Sequence, residues 1–312
     1  MVLDLAADSD RTVLQTLVRE ADVLVQNLKP GALVRMGLAP ADLRRANPRL
    51  ISCSISGYGS QGPMASRKAY DLLIQAETGL ASVTGVAGMP TRVGISIVDI
   101  ATGVTAQAAI LEALLERARS GRGSHIEISM FDVMADWLCV PLLQTEANAA
   151  PKLVGLAHPS IAPYGVFKTG DDDSLLISVQ NEREWKSFCV TVLGTPEMAT
   201  DARFASNVAR VHNRVELDGI IAALMQSIER STAIDLLTKA DIAFAELNDM
   251  RGLSRHPLLR RVAVEGAGGT SYPVPAPVFD GVAPSLGRVP VCGEHTESVK
   301  REFLRAGNRG VV

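Results

Sequence analysis

The sequence predicts an α/β fold organised on a doubly wound, parallel sheet, and three observations lead there. Short apolar strand-like runs alternate with helical stretches over the first part of the chain, the pattern of βα units. One of these runs, Asp22-Val23-Leu24-Val25-Gln26-Asn27, is almost continuously apolar, as in strands buried on both faces of a parallel sheet. Pro and Gly punctuate the joins, as at Pro30-Gly31 and Gly121-Arg122-Gly123.

Taken in order, Val2-Leu3-Asp4-Leu5 reads as a strand with no element before it. Asp8 or Ser9 is expected to cap a helix running to about Ala21, with Val13, Leu14, Leu17 and Val18 on one face. A small helix is expected over Pro40–Ala46, with Pro placed early, and a strand over Arg49–Ser56. Gly57 to Pro63 is loop. Ala69 to Leu80 reads as a helix with Leu72, Leu73 and Ala76 on its apolar side. Val93 to Ile97 is strand-like. Ile100 to Ala118 is the clearest helix, and its small residues Ala101, Gly103, Ala106 and Ala108 suit a place deep in the core or at an interface. His125 to Met130 alternates as a strand, followed by a helix from about Phe131 to Leu143.

Composition shifts to Ala, Pro, Gly and His around Asn148 to Ser160, where a domain boundary is expected. Beyond it come strands near Tyr164-Lys168 and Leu175-Val179, and helices near Glu182-Leu193, Arg214-Ile228 and Ser231-Lys239. From Val262 the chain is rich in Pro, Gly and Val and is expected to be extended, ending in a helix near Glu294 to Ala306. The division read from the sequence is a large Rossmann-like domain over 1–150, a smaller α+β domain over 151–265, and a tail over 266–312.

Composition narrows the function. The chain has 312 residues, 47% hydrophobic and 21% charged, which supports a packed core and rules out disorder as its main state. A net charge of −3 gives no broad basic field for nucleic acid or an anionic membrane, and 4% aromatics leaves little for base stacking. Cys53, Cys139, Cys189 and Cys292 lie far apart with no C-x-x-C spacing, which reads as buried thiols of a reduced, cytoplasmic protein rather than a disulfide or metal framework. No apolar run reaches the roughly 18 residues of a membrane span. No P-loop, metalloprotease motif or serine-nucleophile elbow is present.

A few residues could carry chemistry. Asp99 follows the apolar run Gly94-Ile95-Ser96-Ile97-Val98 and opens the small-residue helix, where the helix N-terminus favours an anion. An ordinary N-cap is the commoner use of such an Asp. Lys68, Tyr70 and Asp71 cluster before a helix, where Asp71 could simply be that helix's cap. Asn27-Leu28-Lys29-Pro30-Gly31 ends a strand, the edge where ligands bind in open α/β sheets, though an ordinary turn reads the same. His158 alone reads as a loop histidine, and Arg35 as a solvated helix-end charge.

The order of several segments is distinctive. Asn27-Leu28-Lys29-Pro30-Gly31, Arg35-Met36-Gly37-Leu38, Asn47-Pro48-Arg49-Leu50-Ile51 and Ser56-Gly57-Tyr58-Gly59-Ser60-Gln61-Gly62-Pro63 are followed by Lys68-Ala69-Tyr70-Asp71-Leu72-Leu73, Asp99 with Gly103, Ser120-Gly121-Arg122-Gly123, and Asp201-Ala202-Arg203-Phe204. In that order, over nearly the whole chain, they resemble the family III CoA-transferases, which include formyl-CoA and carnitine CoA-transferases and α-methylacyl-CoA racemase.

The resemblance implies that Asp99 is a catalytic nucleophile that exchanges an acyl-CoA for an aspartyl-CoA thioester. It places Asn27, Leu28, Arg35 and Lys68 near the nucleotide of coenzyme A, with Tyr70 close to the thioester. It implies acyl-CoA and a free carboxylate as substrates, no metal, and two chains interlocked as a homodimer, with the tail returning to the large domain. The racemase branch has a His where Tyr70 stands. A phenol, ordinarily titrating near pH 10, suits proton abstraction at neutral pH poorly, so CoA transfer is expected over racemisation. The segments around Lys68, His158 and Gln180 are similar to the branch acting on short dicarboxylates such as mesaconyl-, itaconyl- or succinyl-CoA, with a group near His158 expected to receive the second carboxylate. Family members begin with a further βα segment, so a shortened and inactive relative is a third expectation.

Overall fold

Parallel strand pairing organises the first half of the protein. The computed structural model describes residues 1–307 except 267 and 283. It divides into two compact units. The first comprises Met1–Ala81, Arg92–Leu143 and the chain from Arg260 onward; the second comprises Ser82–Thr91 and Gln144–Leu259.

In the first unit, α1 (Asp8–Glu20) begins after Ala7, which makes no side-chain cap, so Asp8 is the first helical residue rather than the cap. Acidic Asp8 and Asp10 in its first turn and Arg19 in its last complement the helix dipole. Strand β1 (Val23–Gln26) pairs in parallel with β2 (Ile51–Ser56), Val23 opposite Ile51. Two short helices, α2 (Ala32–Arg35) and α3 (Pro40–Ala46), make the crossover, and Pro40 takes the position where a missing N–H costs nothing. After β2 the chain forms α4 (Asp71–Glu77). It then contributes a small hairpin, β3 (Gly85–Val86) and β4 (Met89–Pro90), to the second unit. It returns as α5 (Ile97–Ser120), then β5 (His125–Ser129), which pairs in parallel with β2, and continues as α6 (Met130–Trp137) and α7 (Cys139–Glu146).

The sheet order is β1-β2-β5. Its centre, β2, buries Ile51, Ser52 and Cys53, and Cys53 packs with Ile74, Val98, Ala101, Ile128 and Met134. Gly123 is required where the chain enters β5, because a Cβ there would stand 2.0 Å from the Leu50 carbonyl oxygen. Arg117, near the end of α5, donates to the carbonyls of Asp22 and Arg49 and to the Asp22 carboxylate. One guanidinium thus ties the helix to the starts of both β1 and β2.

Several expectations are corrected. Val2–Leu5 forms no strand; the Val2 N–H donates instead to Thr296 Oγ1, and Lys300 bonds Asp10, which joins the chain start to a late helix. Val93–Ile97 is not a strand either, because its last residue already begins α5. Among the described residues β1 pairs with β2 alone, and Val25 is 51% exposed, so the strand is not buried on both faces. In α4 the buried residues are Ile74 and Gln75, while Leu72 and Leu73 stay 51% and 48% exposed. α5 buries one stripe, Val98, Ala101, Thr102 and Ala106, and leaves Ile100, Val104, Leu111 and Leu115 exposed, so it does not lie deep in this core. It is also long and apolar enough to pass for a membrane span, because Gly, Thr and Gln interrupt its apolar runs without lowering the average much. Its buried stripe nevertheless packs in the core over the sheet. Of the four cysteines only Cys53 and Cys189 are buried, and burial pushes the Cys189 thiol up to about 12.

The second unit is built on an antiparallel sheet of β6 (Tyr164–Lys168), β7 (Ser174–Ser178) and, after the helices, β8 (Ala243–Glu246), in that order. The helices are α8 (Glu182–Ser187) with a wider turn over Phe188–Leu193, α9 (Asn207–His212), α10 (Arg214–Gln226), α11 (Arg230–Lys239) and α12 (Met250–Arg255). The chain ends back in the first unit with a two-stranded ribbon, β9 (Arg261–Ala263) and β10 (Ser271–Pro273), and α13 (Thr296–Gly307).

The second unit's core holds a buried cation. Arg210, 1% exposed, donates to the carbonyls of Ala162 and Phe204 and to Glu182, and lies 5.0 Å above the Trp185 ring. Its hydrogen bond holds the Glu182 carboxyl below its ordinary value of 4.5, so the pair's contribution is full above about that pH and lost as pH falls through the lowered value. Arg210→Ala is expected to cost about 3 kcal/mol, because it leaves a cavity and strips two carbonyls of their donor, read as a lower denaturant midpoint. An unchanged midpoint would show that the guanidinium contributes nothing to this core.

Candidate active site

The site is best built from the first turn of α5. Ser96 occupies the cap position without a side-chain cap bond, and Asp99 is the third helical residue. Two of the open N–H groups of that turn are satisfied from another helix, while Ile97 N donates to the Ile95 carbonyl. Asp71 Oδ2 accepts from Val98 N at 2.8 Å and from Asp99 N at 3.2 Å. Asp71 Oδ1 accepts from Gln75 Nε2 at 2.6 Å, and Gln75 Oε1 accepts from Val93 N at 2.9 Å. Gln75 is fully buried, so both ends of its amide are spent on this contact. Neither expectation for these aspartates as local caps holds. Tyr70, not Asp71, precedes α4 as its cap residue, and Asp99 lies within α5 rather than before it.

The Asp99 side chain remains exposed. Its carboxyl is nevertheless raised above the ordinary 3.8, first by partial withdrawal from water and then by the negative charge of Asp71. It sits at the positive end of a long helix, is reachable from solvent, and holds its proton more tightly than usual. Such a carboxylate is chemically able to serve as a nucleophile or a proton acceptor.

The carboxyl ends of β1, β2 and β5 share one edge of the sheet, because the strands are parallel. At the end of β2, Gly57 is pressed against Ala69; a Cβ on Gly57 would stand 2.1 Å from the Ala69 Cβ. The Gly57 carbonyl accepts from Phe131 N and Ser129 Oγ at the end of β5. This close approach fixes the segment that carries Lys68 and Tyr70 beside the strand ends. Both residues are exposed, Tyr70 by 67%, and Tyr70 precedes the aspartate that holds the Asp99 turn. Tyr70 is thus tied to the Asp99 turn through its neighbour Asp71, and Lys68 stands two residues before Tyr70.

Asn27 and Leu28 lie exposed at the end of β1, with Leu28 N held by the Gln26 side chain. Arg35 follows on α2 and lines a recess of about 330 Å³ with Leu5, Arg11 and Leu14. Asn27 and Leu28 thus follow β1, and Arg35 is the last residue of α2. His158 belongs to the second unit, stacked on Tyr164 at 5.3 Å, with Nδ1 accepting from Ser160 N. Sequence reasoning singled out Asp71 but assigned it to its own helix, and it missed Gln75 altogether. No local spacing reveals a cap supplied from another helix.

The chain matches the model of CoA-transferase family III over residues 1–296. It is 38% identical over 263 residues to acetyl-CoA:oxalate CoA-transferase of Acetobacter aceti, covering 82% of this chain and 66% of that protein. An acyl-CoA transferase of Fusarium pseudograminearum is 37% identical, with 54% of its length covered, so the chain spans between about half and two thirds of these relatives. Succinate–glutarate CoA-transferase of Agrobacterium fabrum is 33% identical over 97% of this chain and 78% of its own length. Among solved structures, a CAIB/BAIF family protein from Brucella suis superposes with a TM-score of 0.82 at 31% identity, covering 96% of this chain and 80% of that one. With its mixed helix and strand architecture, the chain belongs to CoA-transferase family III.

Gly57→Ala is expected to displace the Ala69 segment and with it Lys68 and Tyr70. The added methyl should lower the denaturant midpoint by about 2 kcal/mol of stability, as overpacking of a close contact does, with helix content by circular dichroism retained. A wild-type midpoint in this variant would show that the close approach does not hold the segment.

Proposed function

We propose that the protein transfers CoA between an acyl-CoA thioester and a free carboxylate, with Asp99 as the nucleophile. The observation that carries this reading is a solvent-accessible carboxylate with raised proton affinity in the first turn of α5, in a chain of this family. An Asp99 carboxylate oxygen attacks the thioester carbonyl, the C–S bond breaks, and the electron pair leaves on sulfur. A mixed anhydride and CoA thiolate result. The thiolate then attacks the aspartyl carbonyl, releasing the donor's carboxylate and leaving an aspartyl-CoA thioester. The incoming carboxylate repeats both steps in reverse and regenerates Asp99. No net proton is consumed, and one difficult exchange becomes a series of easier ones.

Lys68 and Arg35 would offer charge-assisted donors to the phosphates of coenzyme A, Asn27 and Leu28 would line its nucleotide, and Tyr70 would lie against the thioester. Binding of the remote nucleotide would supply energy used at the reacting carbon. The names of the relatives, which act on oxalate, succinate and glutarate, support a short dicarboxylate as acceptor. The exposed side chains Leu72, Leu73, Ile100 and Val104 on the first unit are consistent with a second copy covering them in a homodimer.

Incubation with succinyl-CoA should load the chain with a covalent adduct of CoA less one water, mapping to Asp99 by peptide mass spectrometry. Asp99→Asn should lose both adduct and transfer to glutarate. Unimpaired transfer by that variant would overturn the reading. In the wild type, the rate should fall on acidification through an apparent pKa above 3.8, because protonation removes the nucleophile.

A further inference from the structure

We infer that Asp71 is a positioning residue for Asp99: its carboxylate, held by Gln75, orients the first turn of α5 and places a fixed negative charge beside the nucleophile. The inference rests on the reading of Asp99 as nucleophile and adds a role for two residues outside the reacting atoms.

The geometry has four links. Asp71 spans from α4 to the N–H groups of Val98 and Asp99 on α5, and Gln75 spans from Asp71 to Val93 on the segment that leads into α5. The turn is therefore gripped on both sides of Ser96, which itself makes no capping bond. A cap from its own chain segment would satisfy the same N–H groups, so the use of a charged side chain from another helix has a separate consequence. When Asp99 attacks, its carboxylate passes from charge −1 to a neutral acyl group. A neighbouring anion disfavours the charged starting form relative to the neutral anhydride and thioester. The same repulsion contributes to the raised proton affinity of Asp99, after desolvation. Asp71 thus helps to keep the nucleophile basic and lowers the energy of the covalent states relative to the free carboxylate. Gln75 supplies the orientation: with its carbonyl committed to Val93, its amide can present only N–H to Asp71.

This reading makes an asymmetric pair of substitutions informative. Asp71→Asn removes the charge and sets an amide N–H₂ against the N–H₂ of Gln75. Adding Gln75→Glu restores a donor–acceptor pair and keeps an acceptor for Val93, while moving the negative charge one hydrogen bond away from Asp99.

The experiment measures steady-state transfer from succinyl-CoA to glutarate across pH for wild type, Asp71→Asn, Asp71→Asn with Gln75→Glu, and Asp99→Asn, with circular dichroism on each. Asp71→Asn should lower kcat by about tenfold or more, as expected for a charge-assisted hydrogen bond, with KM for succinyl-CoA little changed. Its acid limb should move to lower pH. The paired variant should recover part of kcat, with an acid limb between the other two. Wild-type kcat and acid limb in Asp71→Asn, beside an inactive Asp99→Asn, would overturn this inference alone. An acid limb unmoved in both Asp71 variants while kcat falls would reduce Asp71 to a structural cap and also overturn it. Activity in Asp99→Asn would overturn the nucleophile reading and this inference with it.

Discussion

The carboxylate of Asp71 is the constraint on which the site depends. It closes the N-terminus of α5 from outside that helix. A helix of 24 residues carries a substantial positive field at its first turn. That field would by itself favour an ionised, weakly basic Asp99. Partial desolvation and the Asp71 charge act in the opposite direction and prevail, leaving the carboxyl above its ordinary value. The balance suits the nucleophile proposed for Asp99, which would be anionic to attack and then form a neutral acyl bond reversibly. It also explains why a buried glutamine is kept in the core of an otherwise apolar contact. Without Gln75 the Asp71 side chain would lose the partner that fixes its direction.

The parallel sheet supplies the second half of the arrangement. Because β1, β2 and β5 run the same way, their carboxyl ends deliver Asn27, the Gly57 loop and Ser129 to one edge. The absence of a side chain at Gly57 lets the Ala69 segment come within contact of that edge. Arg117 performs a comparable service at the opposite end, where it joins α5 to the starts of β1 and β2. The helix that carries Asp99 is thus anchored near both of its ends, by Asp71 at the first turn and by Arg117 near the last.

Local pattern was enough to read much of this. The alternation at His125–Ser129, the early proline of Pro40–Ala46 and the apolar run ending at Ser56 each determine an element through forces acting within a few residues. Asp99 was legible as an acid at a helix start. Tertiary context decided the rest. Leu72 and Leu73 have helical spacing for a core face, yet α4 turns Ile74 and Gln75 inward, because Gln75 has polar partners to meet there. Val2–Leu5 has strand composition but no neighbouring strand, and its backbone is satisfied by a side chain from the other end of the chain. A cap donated across 28 residues leaves no trace in local spacing.

The central claim is that an Asp99 oxygen becomes part of the transferred system. In the proposed sequence the acceptor carboxylate leaves one of its oxygens on Asp99 when the thiolate takes its acyl group. Turnover of succinyl-CoA with oxygen-18-labelled glutarate, followed by peptide mass spectrometry, measures this directly. Oxygen-18 in the peptide that contains Asp99, at that side chain and at no other carboxylate, is the result expected. Transfer of CoA to labelled glutarate with no label in Asp99 would contradict the account.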